Sequence, residues 1–214
     1  FEFILFFFPV REPSNTILQT KESIIRLEEN RQFTFSRGEF FQIKSKKKTN
    51  NYGYTSNYDY YKNEADILVI GDSFVESFEV DNNESFSNIL NDKLDLNVYQ
   101  LSHSSSNLAQ YYKFAEFGVN NFKPKLIIYL ILPNDYSNRQ YGKYNFNLIN
   151  NGIELNKQKQ EKKLIHKILI KSNFVRYIYY NLQPLSKINY ILNKDKIIYE
   201  GNMPCEFKEK KLLD

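Results

Sequence analysis

Cysteine, histidine and tryptophan are scarce or absent in this sequence. Its 214 residues include one cysteine (Cys205), two histidines and no tryptophan. A single thiol excludes both an internal disulfide framework and a thiolate metal cluster. His103 and His166 lie far apart in the chain and give no spacing typical of metal ligands. We therefore expect neither a metal nor any other cofactor.

A strong charge of either sign is also missing. Lysine and arginine number 29 against 25 acidic residues, a formal net charge of +4, which is too mild to indicate a nucleic-acid partner. The densest basic run, Lys44 to Lys48, is most simply a solvated loop, with a phosphate or lipid contact as the alternative. Hydrophobic residues make up 42% of the chain, enough for a core, so global disorder is excluded.

A short, strongly apolar segment lies at the N-terminus. It runs from Phe1 to Phe8 and ends at Pro9 and the charged Arg11-Glu12, whereas a membrane-spanning helix needs about 20 apolar residues. We favour the end of an anchor or signal segment that begins before residue 1, with a core strand or an amphipathic flap as alternatives. The favoured interpretation predicts a membrane-anchored or exported protein of the cell envelope; otherwise the protein is cytoplasmic.

From Ala65 onward, apolar periodicity predicts alternating strands and helices. The predicted strands are 66–70, 96–101 and 126–132, and the predicted helices are 85–94 and a longer one from Ser106-Asn107 to about Lys123. The first helix is expected to bury Phe86, Ile89, Leu90 and Leu94, and the second Leu108, Tyr112, Ala115 and Val119. This alternation predicts an α/β fold with a doubly wound parallel sheet.

The flanking regions carry weaker patterns. Residues 1–60 are predicted to be an N-terminal extension, with a helix around Thr20 to Glu29 and an unpatterned stretch after it. Residues 61–214 are predicted to form the α/β domain. Within that domain, Tyr136 to Gln160 is expected to be a loop. Lys162 to Leu182 is expected to be a core-facing helix with Val175 and Ile178 on its apolar stripe.

Polar residues follow each of the three predicted strands. Gly71-Asp72-Ser73-Phe74 follows the first strand, Ser102 to Asn107 the second, and Pro133-Asn134-Asp135 the third. With the first strand between the other two, these turns meet at the carboxyl edge of the sheet, where open α/β sheets bind ligands. They bring a hydroxyl, a side-chain amide and backbone N–H groups, which is the set that acyl transfer requires. The alternative is that they are only turns and helix caps.

Gly71-Asp72-Ser73-Phe74 with Val80 to Phe86 resembles the first sequence block of the SGNH (GDSL-type) hydrolases. It is similar especially to the membrane-anchored or exported branch associated with surface polysaccharides. Leu126 to Leu132 with Asn134-Asp135 resembles the third block, and the resemblance covers about residues 54–182.

The resemblance implies a three-layer flavodoxin-like sheet and assigns roles to three residues. Ser73 would be the nucleophile, and its own backbone N–H and the side-chain amide of Asn134 would donate to the oxyanion. The second block has a glycine where this chain has Ser105, or Ser102 on a shifted alignment, so the backbone N–H of Ser105 would be a further donor. The third block likewise has a glycine where this chain has Leu132.

The catalytic base of the family is missing from the sequence. Members carry Asp-x-x-His near their C-terminus, but here Lys163 precedes His166 by three positions and Gln100 precedes His103. A serine hydroxyl is a poor nucleophile without a base. We therefore expect a fragment whose sheet is incomplete at the C-terminus and which is inactive in isolation, with His103 as a loop histidine.

Three classes of function stay open. The first is an esterase or O-acyltransferase acting on O-acyl groups, such as O-acetyl esters, of a glycan or a small molecule. The second is a non-catalytic carbohydrate-binding or assembly protein that keeps the fold without its base. The third is a nucleotide or phosphate binder that uses the Gly71-Asp72-Ser73 turn, although the sequence lacks the glycine-rich loop that such sites use.

Overall fold

A computed structural model gives the structure of the protein. It describes residues 2–19, 22–136, 144–149, 152–157, 171–184 and 188, and the side chains of Leu18, Asn134 and Tyr136 and of strand residues 144–149 and 152–157 lie outside the description. In chain order the strands are β1 (Thr16–Gln19), β2 (Ile24–Leu27), β3 (Gln32–Arg37), β4 (Ile43–Lys48), β5 (Ile67–Gly71), β6 (Val98–Ser102), β7 (Leu126–Tyr129), β8 (Tyr144–Ile149) and β9 (Gly152–Lys157). The helices are α1 (Glu2–Leu5), α2 (Ser73–Glu76), α3 (Phe86–Leu94), α4 (Leu108–Phe122) and α5 (Asn173–Arg176), which continues as a π-helix, Tyr177–Leu182.

A three-stranded parallel sheet lies at the centre of the fold. Its strand order is β6-β5-β7, so the first of the three strands in the chain lies between the other two, as predicted. All five residues of β5 are buried, as a strand covered on both faces requires. Strand β7 ends at Tyr129, three residues before the predicted end. The α/β class predicted from the sequence is confirmed.

The predicted apolar face of α4 is wrong. Leu108, Tyr112 and Val119 are exposed, and only Ala115 of the predicted set packs partly against the core. The buried face is displaced by one position and comprises Gln110, Tyr111, Phe114, Phe117, Gly118 and Phe122. Gly118 lets the helix approach the sheet closely, because a Cβ there would lie 2.3 Å from Leu68 Cδ2. Aromatic residues lie on both stripes of this helix, so apolar spacing alone did not distinguish them.

The predicted apolar face of α3 is wrong in part. Leu90 packs against a core cluster and Ile89 is half-buried, but Phe86 and Leu94 are exposed. Ser87 and Asn88 are buried in their place. The buried polar side chains have partners: Ser87 donates to the side-chain oxygen of Gln100, and Asn88 Oδ1 accepts from Asn57 N at 2.9 Å. Hydrogen bonds therefore supplement the apolar contacts on the inner face of this helix.

The first 60 residues contain strands where a helix and a loop were predicted. The helix expected around residues 20–29 is wrong, because Ile24–Leu27 forms β2, paired antiparallel with β1. The basic run predicted to be a solvated loop is strand β4, paired antiparallel with β3. Lys47 in that run is 2% exposed, and its Nζ donates to Ser77 O at 2.8 Å and Val80 O at 2.9 Å.

Strand β2 and the segment after β4 pack against the core of the parallel sheet. Ile24, Tyr54 and Tyr60 belong to the same buried cluster as Leu68 and Leu101 of the central strands. The rings of Tyr60 and Tyr99 stack with their centroids 4.1 Å apart. Residues on both sides of position 60 therefore share one hydrophobic core.

The N-terminal apolar segment begins as a short helix, α1, so the core-strand interpretation is wrong. Phe3, Phe6 and Phe7 are more than two-thirds exposed, and Phe8 stacks on Phe41 with ring centroids 5.7 Å apart. Within the described ranges, no helix combines the length and the apolarity needed to cross a membrane.

The region after β7 departs in part from its prediction. The loop expected over residues 136–160 contains the antiparallel hairpin β8–β9, and the alternation Tyr144, Phe146, Leu148 is the period-two signal of a strand. Of the helix expected over 162–182, the structure describes α5 and its π-helical continuation, where Val175 and Ile178 are half-buried. The rest of that helix, His166 and Cys205 lie outside the described residues.

Candidate functional site

Ser73 is the first residue of α2 and is separated from the central strand, which ends at Gly71, by Asp72 alone. Asp72 caps the helix, with its Oδ1 accepting the N–H of Phe74 at 3.0 Å. Gly71 allows the turn to be tight, because a Cβ there would lie 2.4 Å from Val75 Cγ2. Ser73 is half-buried. The chain therefore places it at the carboxyl edge of β5, between the strands β6 and β7.

The loop after β6 contains Ser105 in a backbone conformation that favours glycine. Its φ of 74° lies in the left-handed region. The loop begins with a turn in which Ser106 N donates to His103 O at 3.0 Å. Ser102, the alternative on a shifted alignment, is the last residue of β6 and lies opposite Gly71 in the sheet register. Of the two candidates for the glycine position of the second block, only Ser105 therefore lies within the loop.

The turn after β7 is a single 3₁₀ turn, Pro133–Tyr136. It contains Asn134, whose side chain lies outside the described part of the structure. Asp135 is buried, and its Oδ2 accepts from Leu132 N at 2.7 Å and from the hydroxyl of Tyr111 at 3.0 Å. Strands β5 and β7 are neighbours, so the turns that carry Ser73 and Asn134 leave adjacent positions of the sheet.

Tyr111 lies between two aspartates at this edge. Burial, the negative charge of Asp72 and the hydrogen bond to Asp135 together raise the pKa of Tyr111. The phenol therefore keeps its proton at neutral pH and acts as a hydrogen-bond donor to Asp135. Sequence analysis missed Tyr111, because a tyrosine on a helix next to other aromatic residues gives no signal beyond core packing.

Several buried polar atoms at this edge have no hydrogen-bond partner in the described structure. They are Ser102 Oγ, Ser106 Oγ, Asp135 Oδ1, and both Gln110 Nε2 and Gln110 Oε1. An unsatisfied buried polar group costs about 1–3 kcal/mol, so such a concentration is unusual in a purely structural region. Each of these atoms needs a polar partner, which water or a bound molecule can supply. Gln110 and Ser106 could not be recognised from apolar periodicity, which treats their positions as surface.

The C-terminal end of α2 is hydrogen-bonded to the loop after β6. At its last residue, the buried carboxylate of Glu76 accepts from Ser104 N at 2.6 Å and from the Ser104 hydroxyl. Burial raises the pKa of Glu76, while His103 and Ser104 oppose that shift. These bonds fix the loop after β6 against α2, and so hold Ser104 and its neighbour Ser105 in place.

His103 is a loop histidine, as predicted. Its Nδ1 lies 2.9 Å from Ser104 O and its Nε2 lies 3.2 Å from Thr16 Oγ1. Across the part of the chain that the structure describes, no hydrogen bond joins Ser73 to a histidine. Nor do those residues contain a group of three or more His, Cys, Asp or Glu side chains that could hold a metal ion.

Comparison of the chain with protein-family models, with curated proteins and with solved structures gives no match.

Proposed function

We propose that the protein is an SGNH-type serine esterase or O-acyltransferase acting on O-acyl esters of a glycan or a small molecule. The observation that carries the proposal is the position of Ser73, in a tight turn directly after the buried central strand of a parallel sheet. Ligands bind open α/β sheets at such an edge, where the strand order reverses. In the proposal, this sheet is the core of a three-layer, flavodoxin-like SGNH fold.

The proposed roles follow from what each turn can donate. Ser73 Oγ attacks the carbonyl carbon of the ester, and the oxygen of that carbonyl becomes negatively charged. The backbone N–H groups of Ser73 and Ser105 and the side-chain amide of Asn134 stabilise this charge. The left-handed backbone of Ser105 supports its assignment, since it is the conformation a glycine at that position would provide. Loss of one such donor typically lowers the rate by about 10²–10³-fold.

The base that accepts the proton of Ser73 is not supplied by the described residues. His103 hydrogen-bonds with Thr16 of β1 and with Ser104 O in its own loop, the loop after β6. That loop also carries Ser105, one of the proposed oxyanion donors. The proposal therefore takes its base from outside the described residues. In it, the histidine of an Asp-x-x-His pattern, as the resemblance implies, accepts this proton, and we expect residues 1–214 to be inactive without that pattern. Reading the gene past codon 214 tests this point: an Asp-x-x-His pattern supports acyl chemistry, and a stop codon in its place contradicts it.

Reactivity of the serine can be tested directly with a fluorophosphonate probe on the protein extended to include that pattern. We expect labelling that disappears in Ser73→Ala. The matched control is Ser77→Ala, because Ser77 ends the same short helix and its hydroxyl donates to Phe74 O at 2.7 Å. Labelling that persists in Ser73→Ala would remove the serine from the mechanism.

A non-catalytic carbohydrate-binding protein is the second candidate, and one observation favours it. Unpartnered buried polar atoms gather at the sheet edge, whereas no base contacts Ser73 in the described ranges. A binding protein would retain its glycan affinity in Ser73→Ala and show no fluorophosphonate labelling in any form. We further propose a location at the cell envelope, in keeping with the exposed aromatic side chains of the N-terminal segment.

A further inference from the structure

A second cleft of about 590 Å³ lies between the N-terminal segment, β3 and the loop after β6. Its walls include Arg11, Arg37, His103 and Ser104, but Ser73 is not among the residues that line it. The volume lies in the range of small-molecule sites. The cleft is therefore a candidate binding site in addition to the edge that carries Ser73.

The arginines of this cleft differ from the other arginines of the described structure. Arg26, Arg31 and Arg176 each donate to an acceptor of the protein: Glu29, Glu28 and Asn173 respectively. Arg11 and Arg37 have no side-chain hydrogen bond or ion pair among the described residues, and both line the cleft. Their donors are directed neither to a carboxylate nor to a carbonyl of the described chain.

Arg11 is nevertheless held in place. Its guanidinium carbon lies 4.4 Å from the ring centroid of Phe35 and 5.0 Å from that of Tyr180. Contacts with ring faces fix the guanidinium without using its N–H donors. Burial lowers the pKa of Arg11, but an arginine stays protonated at neutral pH. The group is thus a fixed cation with its donors available.

The acidic residues of the cleft limit the charge that a ligand can carry. Glu76 and Glu79 line the same cleft as the two arginines, so the formal charges of these four side chains balance. The carboxylate of Glu76 is already bonded to Ser104, and Glu79 is exposed. A polyanion would meet repulsion from these carboxylates, whereas one carboxylate matches a planar guanidinium. The hydroxyl of Ser14 also lines the cleft, and the hydroxyls of Thr16 and Ser104, which are bonded to His103 and Glu76, keep lone pairs that can accept hydrogen bonds from a ligand.

We propose that this cleft binds a sugar that carries a single carboxylate, with Arg11 and Arg37 contacting the carboxylate and the hydroxyl side chains contacting the ring. The inference is independent of the acyl chemistry proposed above, because it depends on two arginines that have no role there. The cleft also includes Ser105, so a bound acidic sugar would lie next to a loop of the proposed acyl site.

The test is calorimetric titration of the protein with D-glucuronate, with D-glucose as the neutral control and glucose 6-phosphate as a more highly charged one. We expect saturable binding of glucuronate, weaker binding of glucose 6-phosphate and the weakest of glucose. Equal affinity for glucose and glucuronate, stronger binding of the phosphate ester, or no saturable binding of glucuronate would each overturn the proposal.

Substitution of each arginine tests whether these two residues are responsible for the binding of glucuronate. Arg37→Gln and Arg11→Gln are each expected to weaken glucuronate binding by about 10- to 100-fold, the usual effect of losing a hydrogen bond to a charged group. Arg37 is exposed, so its variant remains informative if Arg11→Gln does not fold. Arg31→Gln is the matched control, and Ser73→Ala separates this site from the acyl site; both should leave the affinity unchanged. Unchanged affinity in Arg37→Gln and in every folded Arg11 variant contradicts the proposal.

Discussion

The hydroxyl of Tyr111 donates to Oδ2 of Asp135 at 3.0 Å, and this bond joins helix α4 to the turn after β7. Both residues are buried. The bond connects the turn after β7 to the helix that follows the loop after β6. It therefore helps to fix the geometry of the proposed acyl site without taking part in its chemistry.

Tyr111→Phe removes this donor, and we expect the free energy of unfolding to fall by about 1–3 kcal/mol. The cause is that the buried carboxylate of Asp135 would retain only the N–H of Leu132 on that oxygen, while its Oδ1 already has no partner in the described residues. Urea unfolding measures the change. Tyr112→Phe is the control, because Tyr112 is exposed on the same helix; an equal loss in both variants would contradict the argument.

Gly53→Ala should destabilise the protein more than Gly38→Ala. Both glycines have positive φ, 79° and 91° respectively, so alanine is strained at either position by about 1–2 kcal/mol. A Cβ on Gly53 would in addition lie 2.2 Å from the backbone oxygen of Leu27, whereas on Gly38 it would meet the movable side chain of Gln42. Thermal or urea unfolding of the two variants gives the comparison, and the prediction fails if Gly38→Ala proves the more costly.

Lys47 makes stability rise with pH in the alkaline range. Burial lowers the pKa of Lys47 from 10.5 to about 8. Between these values the unfolded chain binds more protons than the folded one, so the free energy of unfolding increases, by about 3 kcal/mol over the whole interval. Below pH 8 the side chain is charged in both states, and its contribution no longer depends on pH.

The variant Lys47→Met isolates this effect. The difference in unfolding free energy between the unmodified protein and Lys47→Met should shift in favour of the unmodified protein from pH 8 to 10.5. Buried tyrosines such as Tyr54 and Tyr60, whose pKa values are raised by burial, act in the opposite direction above pH about 10. The contribution of these tyrosines is the same in both proteins, so it cancels when the two unfolding free energies are subtracted. Lys46→Met, at an exposed position on the same strand, should show no such trend.

The exposed N-terminal aromatics are expected to bind lipid. Phe3, Phe6 and Phe7 present their rings to solvent, and exposed aromatic clusters partition into membrane interfaces. Co-sedimentation with phosphatidylcholine vesicles should fall strongly when all three are changed to serine, with unfolding free energy unchanged. Phe86→Ser, at an exposed site on α3, is the control; equal sedimentation of the triple variant and the control would rule out a membrane role for this segment.

The pattern of apolar residues in the sequence was sufficient to predict the parallel sheet. A run of apolar residues such as Ile67 to Ile70 fits a strand buried on both faces, and short connections with right-handed crossovers limit the strand order. The cap at Asn107 and the end of α4 before Pro124 also follow from local chemistry, because they depend on one or two neighbouring residues.

The sequence was misleading where a residue is buried through long-range polar contacts. Lys47 is buried because the carbonyls of Ser77 and Val80, about 30 residues further along the chain, accept hydrogen bonds from its Nζ. Ser87 and Asn88 face inward because Gln100 and Asn57 bond to them. No local pattern reports such partners, and hydropathy assigns all three residues to the surface.

The local order of residues therefore defined the strand-turn elements that bring Ser73, Ser105 and Asn134 to one edge of a sheet, since each turn is encoded by the few residues that form it. The inward faces of the helices, the burial of Lys47 and the cleft of Arg11 and Arg37 arose only when distant segments packed together. Their energies depend on which partner each charge and donor meets, and that partner is chosen by the folded chain as a whole.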